Sequence, residues 1–245
     1  MRAAAPFAEL LRFLLPARCL GCASPLALDA ARSFICPTCL AALREPPWPR
    51  CPRCHFPRGT GRAPGAGCLE CAEWPEALTG ARTSAVLEPP ADALVHALKY
   101  EGWTRIAAPM GARMARLCPL PDHVVVPVPT TPARLKARGY NQAELLAERY
   151  AAALGLPVAH ALARTRSGPS QVALAPDRRR ANVAGAFEVV EAERPALAGR
   201  PIALVDDVLT TGATAGAAAA ALERAGVPGV IVVTFARALP GRARA

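Results

Sequence analysis

Two adjacent carboxylates, Asp206 and Asp207, stand between an apolar run and a loop of small and hydroxyl residues, Thr210-Thr211-Gly212-Ala213-Thr214. Carboxylates side by side at a strand end can accept hydrogen bonds from the 2′- and 3′-hydroxyls of a ribose. The Thr210, Thr211 and Thr214 hydroxyls can surround a 5′-phosphate together with the first amides of a helix, whose dipole favours anions. Gly212 and Ala213 let the backbone come close. The segment Asp206, Asp207, Val208, Leu209, Thr210, Thr211, Gly212, Ala213, Thr214 is therefore read as a site for a ribose bearing a 5′-phosphate. Asp206 and Asp207 lie nearest the chemistry.

The second constellation is made of cysteines. Eight of the nine form four CxxC pairs: Cys19/Cys22, Cys36/Cys39, Cys51/Cys54 and Cys68/Cys71. Thirteen residues separate the first pair from the second, and thirteen the third from the fourth, so the segment is an internal repeat. A CxxC knuckle sets two thiolates on one side of a tight turn, and two knuckles complete a tetrahedral shell. Two structural Zn2+ ions are expected. A closed all-thiolate shell has no open position for a substrate, so these cysteines are not read as catalytic. Sequential use of the pairs follows the repeat, and interleaved use is the alternative. Disulfides would require an oxidising compartment, and an iron–sulfur cluster is the other four-thiolate option. Cys118 stands apart and is read as a buried structural thiol.

The elements that must position these groups start after Trp74-Pro75, where the cysteine pairs stop. Apolar runs predict strands at 83–87, 124–128, 157–161, 187–190, 201–205 and 230–236. Helical periodicity predicts helices at 92–100, 106–117, 141–154 and 215–225. Alternating strand and helix implies an α/β fold with a mainly parallel sheet flanked by helices, preceded by a small cysteine-rich module. Ligands of such sheets sit at the carboxyl ends of strands, where Asp206 and Asp207 fall. The division expected is 1–78, with a short N-terminal helix and two metal ribbons, and 79–245 for the sheet domain. Between Cys19 and Cys71 there are too few apolar residues for an independent core, so metal must supply folding energy there. The dinucleotide fingerprint GxGxxG and the Walker A motif GxxxxGK[ST] are both absent, which removes support for P-loop nucleotide hydrolysis.

The 245-residue chain carries a net charge of +10, mostly from Arg. Its basic residues suit phosphates or nucleic acid. Arg50, Arg53, Arg58 and Arg62 could neutralise the phosphates of a single strand while Trp48 and Phe56 stack on bases. The alternative is that these two aromatics form a small core beside the metal. No apolar run reaches the roughly 18 residues that span a bilayer. Glu9 and Arg12 interrupt the apolar N-terminal stretch, so no signal peptide is expected. The expected location is cytoplasmic, with peripheral attachment to the inner membrane as the alternative. The sequence does not set the oligomeric state.

The Asp-Asp-Val-Leu-Thr-Thr-Gly-Ala-Thr segment resembles the signature of the type I phosphoribosyltransferases, which bind phosphoribosyl pyrophosphate (PRPP). Two further motifs sharpen this: Leu98-Lys99-Tyr100, and Pro127-Val128-Pro129 followed by Arg134 and Arg138-Gly139-Tyr140-Asn141-Gln142. Together with the four CxxC pairs they resemble the ComF family, a double zinc ribbon fused to a phosphoribosyltransferase domain, over about residues 10–240. The resemblance implies PRPP bound with Mg2+, ribose hydroxyls on Asp206 and Asp207, and a 5′-phosphate held by 210–214. It implies a pyrophosphate loop near Arg134 and Arg138, and a closing loop carrying Gln171, Arg178 and Arg180. It also implies a role in natural competence and uptake of transforming DNA, with single-stranded DNA and other uptake proteins as partners. The implied chemistry is displacement of pyrophosphate at the anomeric carbon by an acceptor that no residue pattern names. A catalytically silent, PRPP-responsive regulator or a nucleic-acid-handling module is the alternative.

Overall fold

The computed structural model describes residues 17–26, 34–59, 67–164 and 185–239. The expected N-terminal helix, Arg62, Gln171, Arg178 and Arg180 lie outside the described residues. Along the chain, helix α1 (Pro37–Ala42) sits in the cysteine-rich segment. Strand β1 (Leu78–Val86) leads to α2 (Ala91–Tyr100) and α3 (Ala107–Leu117). Then come β2 (Val124–Pro127), α4 (Pro132–Arg138) and α5 (Gln142–Leu154). Strands β3 (Leu162–Arg164) and β4 (Phe187–Val189) precede a short α6 (Arg194–Leu197). Strand β5 (Ile202–Leu209), α7 (Ala213–Glu223) and β6 (Val230–Arg237) close the described chain.

Strands β1, β6, β5 and β2 lie in that order and all pair in parallel. Both faces are covered, which is why β2, the first half of β5 and most of β6 read as continuous apolar runs rather than alternating ones. In β5, Ala203 and Val205 pack with α2, α3 and α5, whereas Ile202 and Leu204 pack with α7 and Phe187. The expected strand at 157–161 is reduced to one bridge, in which the Ala159 N–H donates to the Val125 carbonyl at 2.9 Å. The chain then turns away, and β3 pairs antiparallel with β4 in a separate two-stranded sheet. Pro157 has no N–H to extend a ladder, which limits pairing with β2.

The two cysteine groups flank the sheet. Cys19 and Cys39 belong to the apolar cluster of α2, α3 and α5, while Cys51, Cys54, Cys68 and Cys71 belong to the cluster under α7. The segment also covers the β1 edge: the Ala81 N–H donates to the Arg53 carbonyl and the Val86 N–H to the Arg44 carbonyl, both at 2.7 Å. An exposed edge strand is thereby protected from pairing with another chain. Cys118 is buried, as expected, and burial pushes its thiol up to about 12. Among the described residues, no helix is long and apolar enough to cross a membrane.

Candidate functional site

Strand β5 runs on past residue 205 and carries Asp206 and Asp207 within it. Asp207 is only 3% exposed. Lys99, near the C-terminal end of α2, places its Nζ 2.9 Å from Asp207 Oδ2. The Asp207 amide donates to Asp206 Oδ1 at 2.8 Å. Burial, reinforced by the neighbouring Asp207 charge and opposed by Lys99, raises Asp206 to about 7. A carboxylate crowded by a second one in a poorly solvated place resists ionisation.

A cavity of about 430 Å³ opens over this pair. Asp206, Asp207, Val208, Thr210 and Thr214 line it from β5 and the following loop. Arg134, Arg138 and Gln142 enter from α4 and the start of α5, and Lys99 and Tyr100 from α2. The structure thus brings the acidic pair, two of the threonines and both arginines of the expected pyrophosphate loop into one space. Leu209 is instead buried in the core. Thr211, Gly212 and Ala213 line a neighbouring cavity of about 360 Å³, shared with Trp74 and Pro75.

Two cations of the wall, Lys99 and Arg164, were not among the expected site residues. Lys99 was visible only as part of a motif, and its ion pair to Asp207 depends on the packing of α2 beside β5. Arg164, the last residue of β3, also lines the cavity. Its guanidinium lies 5.2 Å from the Phe187 ring, and burial lowers its pKa. Nothing in the local sequence around Arg164 marks it, because the β3–β4 pairing is what carries it to the cavity.

The motif residues around Tyr140 hold the walls together. The Tyr140 hydroxyl donates to the Leu98 carbonyl, joining the start of α5 to the end of α2. Asn141 Nδ2 donates to the Val128 carbonyl at 3.1 Å, and Asn141 Oδ1 accepts the Ala143 amide at 3.2 Å as the N-cap of α5. Arg138 donates to Gln142 Oε1 at 2.8 Å and lies 5.1 Å from the Tyr100 ring. Gly212 adopts φ 85° as the N-cap of α7, and the Ala213 amide donates to Thr211 Oγ1 at 3.4 Å.

The cysteines form two groups, Cys19/Cys22/Cys36/Cys39 and Cys51/Cys54/Cys68/Cys71, with the Sγ atoms of each within 4.8 Å of one another. Pairing is sequential, not interleaved. A tetrahedral Zn–S bond of about 2.3 Å implies an edge of about 3.8 Å. Cys22 to Cys36 is 3.8 Å, Cys51 to Cys71 3.9 Å and Cys54 to Cys68 3.6 Å. Backbone amides point at the sulfurs, as where the Cys36 and Gly21 amides donate to Cys19 Sγ. Four thiolates this close repel one another, and a dication between them lets all four ionise together. The donor set fits a structural divalent metal.

No protein-family model matches the chain. It is 33% identical to DNA utilization protein YhgH of Salmonella typhi and 32% identical to that of Escherichia coli K12, in each case over 91% of this chain and 98% of the relative. Competence protein F of Haemophilus influenzae is 35% identical over 49% of this chain and 52% of that protein. Among solved structures, glutamine PRPP amidotransferase from B. subtilis is 24% identical over 50% of this chain and 24% of that one, with a TM-score of 0.36. TT1426 from Thermus thermophilus is 18% identical over 57% of this chain and 86% of that one, with a TM-score of 0.32. The parallel sheet flanked by helices, with the acidic pair within β5, and the two four-cysteine groups form an α/β fold with a double metal-ribbon module. On its similarity to YhgH across nearly its whole length, the chain belongs to the ComF family.

Proposed function

We propose that this chain binds PRPP with Mg2+ in the cavity over Asp206 and Asp207 and acts in the uptake of transforming DNA. One observation carries the first part. Two carboxylates, the hydroxyl residues Thr210 and Thr214 on either side of the start of α7, and the cations Lys99, Arg134, Arg138 and Arg164 share one cavity. Asp206 and Asp207 accept the ribose hydroxyls. The 210–214 loop holds the 5′-phosphate. Arg134 and Arg138 hold the pyrophosphate by charge-assisted hydrogen bonds. Mg2+, carried in with PRPP, would add positive charge to the pyrophosphate that Arg134 and Arg138 hold. The chain's own residues hold the anomeric carbon in place and stabilise departing charge, and no covalent nucleophile is needed.

Two structural zinc ions complete the reading, one in each cysteine group. The DNA role is extended from relatives named for DNA utilization and competence. Calorimetry of the zinc-loaded chain with PRPP and Mg2+ tests the site. Binding that weakens in Asp207→Asn is expected, and no heat with the wild-type chain removes the proposal.

A further inference from the structure

The loop after the acidic pair is held from outside by the second cysteine group. Trp74 follows shortly after Cys71 and is 8% exposed. Its Nε1–H donates to the Thr211 carbonyl at 3.0 Å. The ring covers Gly212 so closely that a Cβ there would stand 2.5 Å from Nε1. Pro75 continues the contact onto α7, where a Cβ at Gly216 would lie 3.1 Å from its Cδ. The tryptophan is itself fixed by Arg53, which sits inside the third CxxC pair. The Arg53 guanidinium donates to the carbonyls of Cys71 at 3.1 Å, Pro75 at 3.0 Å and Leu78 at 2.9 Å. It also lies 5.8 Å from the Trp74 ring. Direct contacts therefore run from the cysteine knuckle through Arg53 and Trp74 to Thr211 and Gly212.

We propose that Trp74 is a positioning residue for the 210–214 loop, and that metal held by Cys51, Cys54, Cys68 and Cys71 sets the loop's conformation through Arg53 and Trp74. The inference rests on reading that loop as the phosphate cradle. A loop of threonines with a left-handed glycine has many conformations of similar energy. An anion gains most when the amides are aligned beforehand, because ordering them then costs no affinity. Trp74 supplies that alignment by fixing one carbonyl and closing one side of Gly212. The first cysteine group packs on the opposite face, with α2 and α3.

The test compares the zinc-loaded wild-type chain with Trp74→Phe and Trp74→Ala, after metal content confirms equal loading. Amide hydrogen exchange without ligand and PRPP calorimetry with Mg2+ are measured on each. Trp74→Ala should speed exchange of the 211–214 amides about tenfold while the amides of β6 keep their wild-type rates, and should weaken PRPP at least about tenfold. Trp74→Phe keeps the ring but loses the donor, so it should fall between. Unchanged loop exchange in a fully loaded Trp74→Ala overturns the positioning role. If Trp74→Ala does not fold, unchanged loop exchange in Trp74→Phe overturns it instead. If the wild-type chain binds no PRPP, the ligand reading fails and the exchange comparison still decides the role of Trp74. Cys71→Ser should loosen the loop and Cys39→Ser should not, and equal loosening by both overturns the part assigned to the second metal.

Discussion

Asp206 carries the pH behaviour of the site. Its pKa is raised from 3.8 to about 7 by burial and by Asp207. Between those values the folded chain binds more protons than the unfolded chain, so ionising Asp206 lowers stability as pH rises, and the full cost is present above about 7. Asp206→Asn should therefore raise the melting temperature at pH 8 by an amount that vanishes near pH 4, and an equal rise at both pH values contradicts the shift. The charged form is the acceptor a ribose needs, so PRPP affinity should increase from pH 6 to pH 8 in the wild type more steeply than in Asp206→Asn. The same residue thus weakens the fold and serves the ligand, a trade common at functional sites. Lys99 acts in the opposite sense. Lys99→Met leaves the buried Asp207 carboxylate without its partner and should cost about 1–3 kcal/mol in denaturant unfolding. A neutral outcome would mean that water replaces the ammonium.

At the scale of elements, what the sequence shows depends on what each element buries. Helices α2, α3 and α5 bury a face and are visible by periodicity. Helix α4 buries no residue, so it leaves no apolar pattern. Its ends were nonetheless written in the chain: Thr131 caps the Arg134 amide at 3.2 Å, Pro132 follows, and Gly139 closes the helix at φ 79°. Strand β5 extends beyond 201–205 because pairing with β6 continues through Asp206 to Leu209, and propensity alone stops at the first carboxylate. The acidic pair and the threonine loop were legible because their order is local. Lys99 and Arg164 were not, because only packing brings them to the cavity. Asn141 shows how α4 and α5 acquire their placement, since one side chain caps α5 and grips the Val128 carbonyl. Asn141→Ala should cost about 1–2 kcal/mol of stability. It should also weaken PRPP binding by letting Arg138 drift, and wild-type affinity in a destabilised variant would separate the cap from the site.

Across the whole molecule, the cysteine groups are built into the sheet's two cores. Cys54 is fully buried, and the Cys54 carbonyl accepts the Arg237 guanidinium from the end of β6 at 2.7 Å. Chelation should therefore lower the main unfolding transition itself, and a separate early transition with the sheet untouched would show an independent module. The same packing narrows how the chain can meet DNA. Arg53 is engaged with backbone carbonyls, and Phe56 packs against the core and lies 5.1 Å from Arg237. Arg50 pairs with Glu45 at 3.1 Å beneath Trp48. Trp48, 74% exposed, is the one ring of the expected stacking pair left open to a base. Single-stranded binding should then come chiefly from phosphate neutralisation by a chain of net charge +10. Affinity should fall steeply between two salt concentrations, by a slope of about 0.7 per phosphate neutralised. Trp48→Ala should remove about 1–3 kcal/mol without changing that slope. Tight binding indifferent to salt would refute the electrostatic mechanism, and no binding at low salt would leave the chain acting through PRPP or a protein partner.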